Sequence, residues 1–357
     1  MRIQCLIILL SLSSITVLAQ EKRVTLLFAG DAMQHMPQFY AAKTDSGYNY
    51  EPVFQFVKNH ISQFDIAGVN FETTLGGPPY KGYPQFSSPN EFATALYDAG
   101  FNFFFTANNH SLDTGKRGLE QTIEFIKELG AKQTGTFKSL ERRELIYPLL
   151  IIKNGIRIAF LNYTYGTNDI QVEEPNVVNI IDTLLIKKDL RTAELLKPDI
   201  IIAVMHWGEE YHTKPSKSQK KTAQFLLDNK VRIVIGHHPH VIQPIKTTKL
   251  NDRIVNTVFY SLGNFISNQR KPDTDGGMIA EIVLSKAKDE AFVNIESVDY
   301  SLVWVHKIFK SGKAVYHILP IDKDDENYQE DFTLTPYEHL ILKGFVDRAI
   351  KTANAPL

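Results

Sequence analysis

Residues 100–115 read GFNFFFTANNHSLDTG, and this stretch decides the fold. An aromatic run of strand length ends abruptly in amide, imidazole and carboxylate side chains, and a helical pattern begins just after Gly115. Strands that alternate with helices are the repeating unit of α/β proteins, whose open sheets bind ligands beyond the carboxyl ends of the strands. The stretch therefore predicts an α/β fold with a functional site at the end of this strand.

The same layout recurs at four other places. Apolar runs rich in β-branched residues end at Asp31, at Glu72, at His206 and at residues 236–240, which read GHHPH. Taken singly, Asp31 is explained as well by a loop and His206 by a buried core histidine. Closely spaced imidazoles at a strand end have little structural use, however, and histidine is the commonest metal ligand. Together the five strand ends predict a metal site at one edge of the sheet.

Composition sets limits on the class of protein. The chain has 357 residues, of which 43% are hydrophobic and 22% charged, as in a globular protein with a sizeable core. Its formal net charge of -1 argues against a general nucleic-acid binder, which normally carries a basic surplus. Length alone permits one large domain or two smaller ones.

The amino-terminal segment is typical of a signal peptide. Arg2 precedes a largely apolar run, and Ala19 offers a small residue for cleavage. Serine and threonine interrupt the run, so a retained membrane anchor is the weaker alternative. Cys5, the only cysteine, lies in this segment. We predict that residues 1–19 direct export and are removed, which leaves chemistry to His, Asp, Glu and Asn.

The rest of the chain predicts one α/β domain over residues 20–322. Residues 145–163 read as a β-hairpin turning at Asn154-Gly155. Beyond residue 241, strand patterns follow one another without helices, which predicts an antiparallel portion. Residues 323–357 predict a helical extension that packs on the domain.

Carboxylates, an amide oxygen and imidazoles together suit a borderline divalent ion such as Mn, Fe or Zn. Two ions would need a shared carboxylate, for which Asp31 and Glu72 are the candidates, and such a pair activates water and stabilises a phosphoryl transition state. His110 would then act as the general acid for the leaving oxygen, oriented by Asp113. The simpler alternative is that Asn109 and Asp113 are turn and cap residues before the following helix.

Six short motifs occur in order along the chain: GD at 30–31, NFET at 70–73, ANNHSLD at 107–113, HWGEEY at 206–211, GHHPHV at 236–241 and YSLGNF at 260–265. In this order they resemble the CapA family, which is linked to capsule and poly-γ-glutamate synthesis and is similar to calcineurin-like metallophosphatases. The resemblance covers about residues 23–281.

The resemblance implies a four-layer α/β/β/α sandwich with two mixed central sheets. It also implies one or two divalent ions and His110 as the catalytic histidine. The ligands carried over are Asp31, Glu72, Asn109, His206, His238 and His240.

Three positions depart from the phosphatase pattern. Met33 stands where phosphatases have a histidine, Glu72 where they have an aspartate, and Ser111 where they have an acidic residue. The missing ligand at Met33 weakens the case for two tightly bound ions. His35 either compensates or is an exposed loop histidine.

Other roles at the site stay open. Side chains alternate on an extended segment, so His238 and His240 share a face unless a turn at Pro239 breaks the rule, and His237 remains an alternative ligand. Glu210, Asn264 and His237 are the candidates for binding substrate or orienting the ligands. The alternatives are a solvated carboxylate for Glu210 and a strand-end turn for Asn264.

The sequence thus predicts an exported, CapA-type protein that acts in synthesis, release or modification of an anionic surface polymer by metal-dependent hydrolysis or transfer. One alternative is a non-catalytic subunit that handles the polymer, so whether the chain is an enzyme stays open. Another is a periplasmic metallophosphodiesterase. The predicted partners are an anionic polymer or a phosphoester substrate, with contact to a membrane synthase complex left open and nucleic acid excluded.

Overall fold

Strand β1 (Lys22–Ala32) lies near the middle of the sheet in the computed structural model, which describes residues 22–287, 290, 292–324 and 332–357. The predicted signal peptide at residues 1–19 lies outside the described residues. The helices are α1 (Met36–Ala42), α2 (Glu51–Phe54), α3 (Lys58–Ile61), α4 (Asn90–Asp98), α5 (Gly115–Glu128), α6 (Leu140–Ile146), α7 (Thr183–Leu195), α8 (Lys217–Asp228) and α9 (Pro336–Ala353). The strands after β1 are β2 (Ile66–Phe71), β3 (Phe103–Phe105), β4 (Lys132–Thr134), β5 (Thr136–Phe137), β6 (Leu149–Lys153), β7 (Ile156–Thr164), β8 (Val177–Val178), β9 (Ile200–His206), β10 (Ile233–His237), β11 (Ile245–Leu250), β12 (Arg253–Phe259), β13 (Asn264–Ile266), β14 (Gly276–Lys286), β15 (Asn294–Lys310) and β16 (Lys313–Ile321).

The strands form a large mixed sheet in the order β4-β3-β2-β1-β14-β15-β12-β10-β9-β7-β6. Strands β1 to β4 are parallel to one another, and so are β7, β9, β10 and β12. We call the first set of parallel strands the first limb of the sheet and the second set the second limb. The antiparallel strands β14 and β15 join the two limbs, through a pairing of Ile295 on β15 with Ile254 on β12. The predicted mixed α/β class is confirmed, with the two predicted sheets joined into one; the four-layer stacking stays a prediction.

Alternation along β1 shows how the sheet is buried on both faces. Leu26 and Phe28 belong to a core cluster shared with strands of the other limb, whereas Leu27 and Ala29 belong to a second cluster with helices α2 and α4. Side chains of a strand point alternately to its two faces, and a strand covered on both reads as a continuous apolar run. A third cluster packs α7 and α8 on the second limb. The sheet is therefore held rigidly at its centre.

The predicted hairpin and the predicted antiparallel portion are both present, each with one difference. The hairpin begins only at Leu149, because residues 140–146 form α6, whose buried Arg143 binds Asp189 on α7 through two hydrogen bonds of 3.1 and 2.5 Å. That tertiary contact holds a short helix which sequence periodicity does not show. The portion after residue 241 is not wholly antiparallel, since β12 pairs in parallel with β10.

The carboxyl-terminal helix α9 packs on the large sheet. Leu342, Phe345 and Val346 are buried and join the core cluster that the two limbs share. At its amino end Thr335 and Glu338 form a capping box, and His306 on β15 lies 2.9 Å from Glu338.

No helix among the residues that the structure describes is long and apolar enough to cross a membrane.

The buried pair of Arg143 and Asp189 gives a first prediction. The hydroxyl of Tyr163 also donates to Asp189, at 2.6 Å, so Asp189→Ala strands a buried guanidinium and a buried hydroxyl. We expect the free energy of unfolding to fall by about 3–5 kcal/mol, measured by urea denaturation. Glu144→Ala is the control, because it breaks an exposed pair with Lys188 and should cost about 1 kcal/mol or less. A similar small loss in both variants would contradict this account.

Glu338 gives a prediction about pH. Burial would raise the pKa of Glu338, but the Thr335 backbone and His306 outweigh it and lower the pKa from 4.5 to about 2. A depressed carboxyl pKa stabilises the fold above the unfolded value, and this contribution is lost as pH falls from 4.5 towards 2. Thermal unfolding of Glu338→Gln should therefore lose less stability across that window than the parent protein. Glu128→Gln, at an exposed position of α5, is the control and should lose as much stability as the parent protein. An equal loss in Glu338→Gln and in the parent protein would refute the assignment.

Candidate metal centre

Six predicted ligands converge at the carboxyl ends of five strands. Asp31 is the penultimate residue of β1, Glu72 directly follows β2, and His206 ends β9. Asn109 lies in the turn after β3, and His238 and His240 follow β10. All six side chains are buried.

The side chains fall into two groups with one shared member. Ligand atoms of Asp31, Glu72 and His206 lie within 4.8 Å of one another, and so do those of Glu72, His238 and His240. Of the two candidates for a shared carboxylate, Asp31 and Glu72, only Glu72 belongs to both of these groups.

A close backbone approach fixes the position of Asp31. The Asp31 backbone N–H donates to Gly263 O at 3.0 Å, and a Cβ on the preceding Gly30 would lie 2.1 Å from the same oxygen. Only glycine therefore permits β1 to reach the β13 segment here. The predicted site residue Asn264 pairs in register with Asp31 across that contact.

The backbone turns after β10, which is the alternative to strand alternation that the sequence analysis left open at Pro239. His238 and His240 have φ values of 97° and 58°, in a region that residues other than glycine rarely adopt. Such conformations cost about 1–3 kcal/mol each and concentrate at functional sites. Even so, both imidazoles reach Glu72. His237, still on the strand, places Nδ1 3.3 Å from Asp31 Oδ1.

Asn70 organises the centre, and the sequence analysis assigned it no role. Its Nδ2 lies 2.8 Å from Asp31 Oδ1, 3.1 Å from Glu72 Oε2 and 3.3 Å from His206 Nδ1. Asn70 lies on β2 and precedes Glu72, which directly follows that strand, by two residues, so the period of two could have placed both side chains on one face.

Asn109 lies beside the imidazole of His206. Its Oδ1 is 2.7 Å from His206 Nε2, and its Nδ2 donates to Asn168 Oδ1 at 3.1 Å. That orientation directs the amide oxygen, the atom suited to a metal, towards the buried cluster.

Burial of two carboxylates together sets the electrostatics. Burial would raise the pKa of Asp31, but polar contacts with His237 and His240 hold it well below its ordinary value. The pKa of Glu72 is raised well above its ordinary value by burial and by the charge of Asp31. A bound cation would stabilise both carboxylates in the ionised form.

The imidazoles of His206 and His238 are held in the neutral form that binds metals. Burial, followed by the neighbouring His238, lowers the pKa of His206 well below its ordinary value. Burial and the charge of His240 lower the pKa of His238 to about 3. Neutral imidazole offers a lone pair to a divalent ion.

Buried atoms without partners show that these residues fit a divalent ion. Glu72 Oε1 and His238 Nδ1 have no hydrogen-bond partner among the described residues. Glu72 Oε1 lies 3.7 Å from His206 Nε2 and 3.8 Å from His240 Nε2. Leaving such atoms unpaired costs about 1–3 kcal/mol each, and a bound cation would satisfy them.

His110 and Asp113 form a buried pair beside the cluster. His110 Nδ1 lies 2.6 Å from Asp113 Oδ2, which also accepts from the Phe86 backbone N–H at 2.6 Å. The Phe86 ring packs edge-on against His110 at 4.6 Å. Because Nδ1 is held by the carboxylate, Nε2 is the nitrogen that remains for proton transfer.

The remaining predicted positions lie around this core. Ser111 shapes the turn, because its hydroxyl donates to Thr106 O at 2.7 Å. Buried Met33 donates its backbone N–H to Ile266 O, and His35 caps α1 outside the two ligand groups. Glu210 is exposed at the rim.

Asn264 is buried. It donates to Thr274 O at 2.8 Å and leaves its own Oδ1 without a partner among the described residues. Two tyrosines that the sequence analysis did not single out also border the site. The Tyr165 ring lies 4.5 Å from that of His238, and the Tyr211 ring lies 6.2 Å from that of His240.

Comparison with known proteins finds a family match over most of the chain. The family described as "Bacterial capsule synthesis protein PGA_cap" matches residues 25–269. The capsule biosynthesis protein CapA of Bacillus anthracis is 29% identical over 264 residues, which cover 70% of this chain and 61% of that protein. The chain thus spans about three-fifths of that relative. The PGA biosynthesis protein CapA of Bacillus subtilis is 28% identical over 269 residues, covering 72% of this chain and 67% of that protein.

Among solved structures, the calcineurin-like phosphoesterase YfkN from Bacillus subtilis aligns over 93% of this chain and 100% of that chain, with a TM-score of 0.47 and 13% sequence identity.

Metal analysis tests the centre directly. We expect the purified protein, reconstituted with Mn or Zn, to bind about one or two equivalents, because the unpaired buried ligands would gain partners. The double variant His206→Ala/His238→Ala removes one imidazole from each group and should lose that metal. His212→Ala/His339→Ala is the matched control and should bind as the parent does. Equal metal content in all three proteins would contradict the assignment.

Proposed function

The chain belongs to the bacterial capsule synthesis protein family PGA_cap, and on that premise we propose that it acts on an anionic cell-surface polymer by metal-dependent hydrolysis or transfer. The observation that carries the proposal is the shared Glu72, which joins two ligand groups beside a buried His–Asp pair whose Asp113 acts electrostatically on Glu72 itself. A site that only stabilised the fold would have no use for that neighbouring pair.

The ligand roles follow from the donor set. Asp31, Glu72 and His206 would hold one divalent ion, with Asn109 adjoining, and Glu72, His238 and His240 would hold another. When bound, such ions supply Lewis-acid chemistry that polarises a phosphoester or amide centre. Asn70 keeps both carboxylates oriented through its two short hydrogen bonds.

His110 has the geometry of a general acid. Nδ1 is fixed by Asp113, so Nε2 can carry the proton that passes to the leaving oxygen or nitrogen. Asp113 holds the tautomer and stabilises the imidazolium, as carboxylates do in catalytic His–Asp pairs. The edge-on Phe86 ring excludes water from one side of the imidazole.

The polymer is proposed from the family and from the relatives. Their printed names concern capsule and PGA biosynthesis, and we carry that role to this chain as a proposal. Export through the predicted signal peptide, and contact with a membrane synthase complex, belong to the same proposal, since a surface polymer is assembled at the envelope.

A second candidate is a non-catalytic subunit that grips polymer carboxylates through a bound ion. Met33 favours it, because this buried apolar side chain stands where a metallophosphatase would supply a ligand. Both candidates require the ion, but only the first requires His110.

Substitution of His110 separates the two. His110→Asn removes the proton donor but none of the metal ligands, so turnover of a γ-linked glutamate polymer or of bis-p-nitrophenyl phosphate should fall by about 10²–10⁴-fold with metal content unchanged. His339→Asn on α9 is the control and should keep full turnover. Unchanged turnover in His110→Asn would sink the catalytic proposal, and faster turnover of nucleotides than of the polymer would favour a phosphodiesterase.

A further inference from the structure

Two cations near the metal centre share one aromatic ring. The guanidinium carbon of Arg270 lies 5.9 Å from the centre of the Tyr316 ring, and Lys307 Nζ lies 5.5 Å from it. A third cation, Lys271 Nζ, lies 3.6 Å from the centre of the Tyr211 ring. Within the part of the chain that the structure describes, none of the three forms an ion pair with a carboxylate. Cation–π contacts hold these charges in place without neutralising them.

A chain of side-chain contacts leads from the first two cations to the proposed proton donor. Lys307 Nζ and the Tyr316 hydroxyl both donate to Asn268 Oδ1, at 3.0 and 2.6 Å. The Asn268 backbone N–H donates to His35 Nδ1 at 3.3 Å, and the His35 ring packs against Phe86, which contacts His110. The cations on the Tyr316 ring are therefore linked to the site through packed and hydrogen-bonded side chains.

The third cation reaches the site from another direction. Lys271 rests on Tyr211, whose ring lies 6.2 Å from the His240 ring, and Gln269 Nε2 donates to the Tyr211 hydroxyl at 3.4 Å. Gln269 also accepts from Asn264, which pairs with Asp31 on β1. The three cations therefore connect to the site by two routes, one through Asn268 and His35 and the other through Tyr211.

Two of these like charges lie close enough to repel each other. Partial burial, and then repulsion by Arg270, lowers the pKa of Lys307. The Arg270 side chain is exposed, and Tyr316 and Asp275 oppose the lowering of its pKa by partial desolvation. In a chain whose formal net charge is -1, a grouping of cations that form no ion pair with a carboxylate among the described residues is not explained by overall composition. An anion bound between them would relieve the repulsion.

We infer that Arg270, Lys271 and Lys307 form an anion-binding track beside the metal centre that takes a chain carrying several carboxylates. The inference deepens the proposed function and rests on it for the class of substrate. Three positive charges, held on the rings of Tyr316 and Tyr211, suit an extended polyanion, because such a chain gains affinity by binding at several points. Nucleic acid fits less well, since bases stack on exposed aromatic rings, whereas Tyr316 is buried and Lys271 lies over the ring of Tyr211.

A binding measurement tests the track without requiring turnover. The probe is a fluorescein-labelled, γ-linked glutamate decamer, titrated by fluorescence anisotropy at low salt. Arg270→Gln/Lys307→Gln should weaken binding at least about tenfold, because both substituted side chains lose the charge-assisted hydrogen bonds to the polymer carboxylates. Lys246→Gln/Lys249→Gln on the exposed strand β11 removes the same charge elsewhere and should change binding less than about twofold.

Further variants and competitors distinguish a loss of charge from a change in the structure of the protein. Arg270→Lys/Lys307→Arg keeps both charges and should retain most of the affinity, and unchanged metal content confirms that the site is intact in each variant. Unlabelled glutamate should compete at least about a hundredfold more weakly than the decamer. Equal decamer binding by the parent and by Arg270→Gln/Lys307→Gln would overturn the track. Tighter competition by inorganic polyphosphate than by the unlabelled decamer would overturn its assignment to carboxylates.

The His110→Asn variant keeps this test distinct from that of the proposed function. It should bind the decamer as the parent does, because it leaves the three cations in place. If no protein turns over the polymer but the track variants still lose binding, catalysis fails and the track stands. If turnover depends on His110 while track variants bind normally, the track fails and catalysis stands.

Discussion

Two carboxylates, Asp31 and Glu72, are buried together within reach of several imidazoles, and the rest of the site depends on how that burial is compensated. Removing a carboxylate from water is expensive, and two in one apolar interior repel each other. Asn70 and two histidines stabilise the charge of Asp31, whereas Glu72 keeps one oxygen without a partner among the described residues. A divalent cation resolves this imbalance with the ligands already present. The unpaired ligand atoms and the raised pKa of Glu72 therefore have one common explanation.

The fold makes this arrangement possible by bringing parallel strand ends to a common edge. Strands β1, β2 and β3 bring their ligands from one limb of the sheet and β9 and β10 from the other. Close packing on both faces fixes the strands, and the absence of a side chain at Gly30 allows β1 to meet β13. The packed core around them then holds His238 and His240 in their strained backbone conformations.

Much of this could be predicted from sequence, for identifiable reasons. An apolar run that stops at a polar residue locates a strand end, so the positions of Asp31, Glu72 and His206 followed from pattern alone. The backbone after β10 did not, because alternation assumes an extended chain and the turn at Pro239 overrides it. Helix α6 was missed because its stability comes from a contact 46 residues away, between Arg143 and Asp189. The cations on Tyr316 and Tyr211 come from separate segments, and no local motif marks their proximity.

The central claim is that these strand ends form a metal centre bridged by Glu72. Anomalous diffraction from crystals of the manganese-loaded protein tests it most directly, because it locates the ion among the side chains without reference to activity. The account predicts anomalous density next to Glu72, bounded by Asp31 and His206 on one side and by His238 and His240 on the other. Density elsewhere, or none at all in fully loaded crystals, would contradict it.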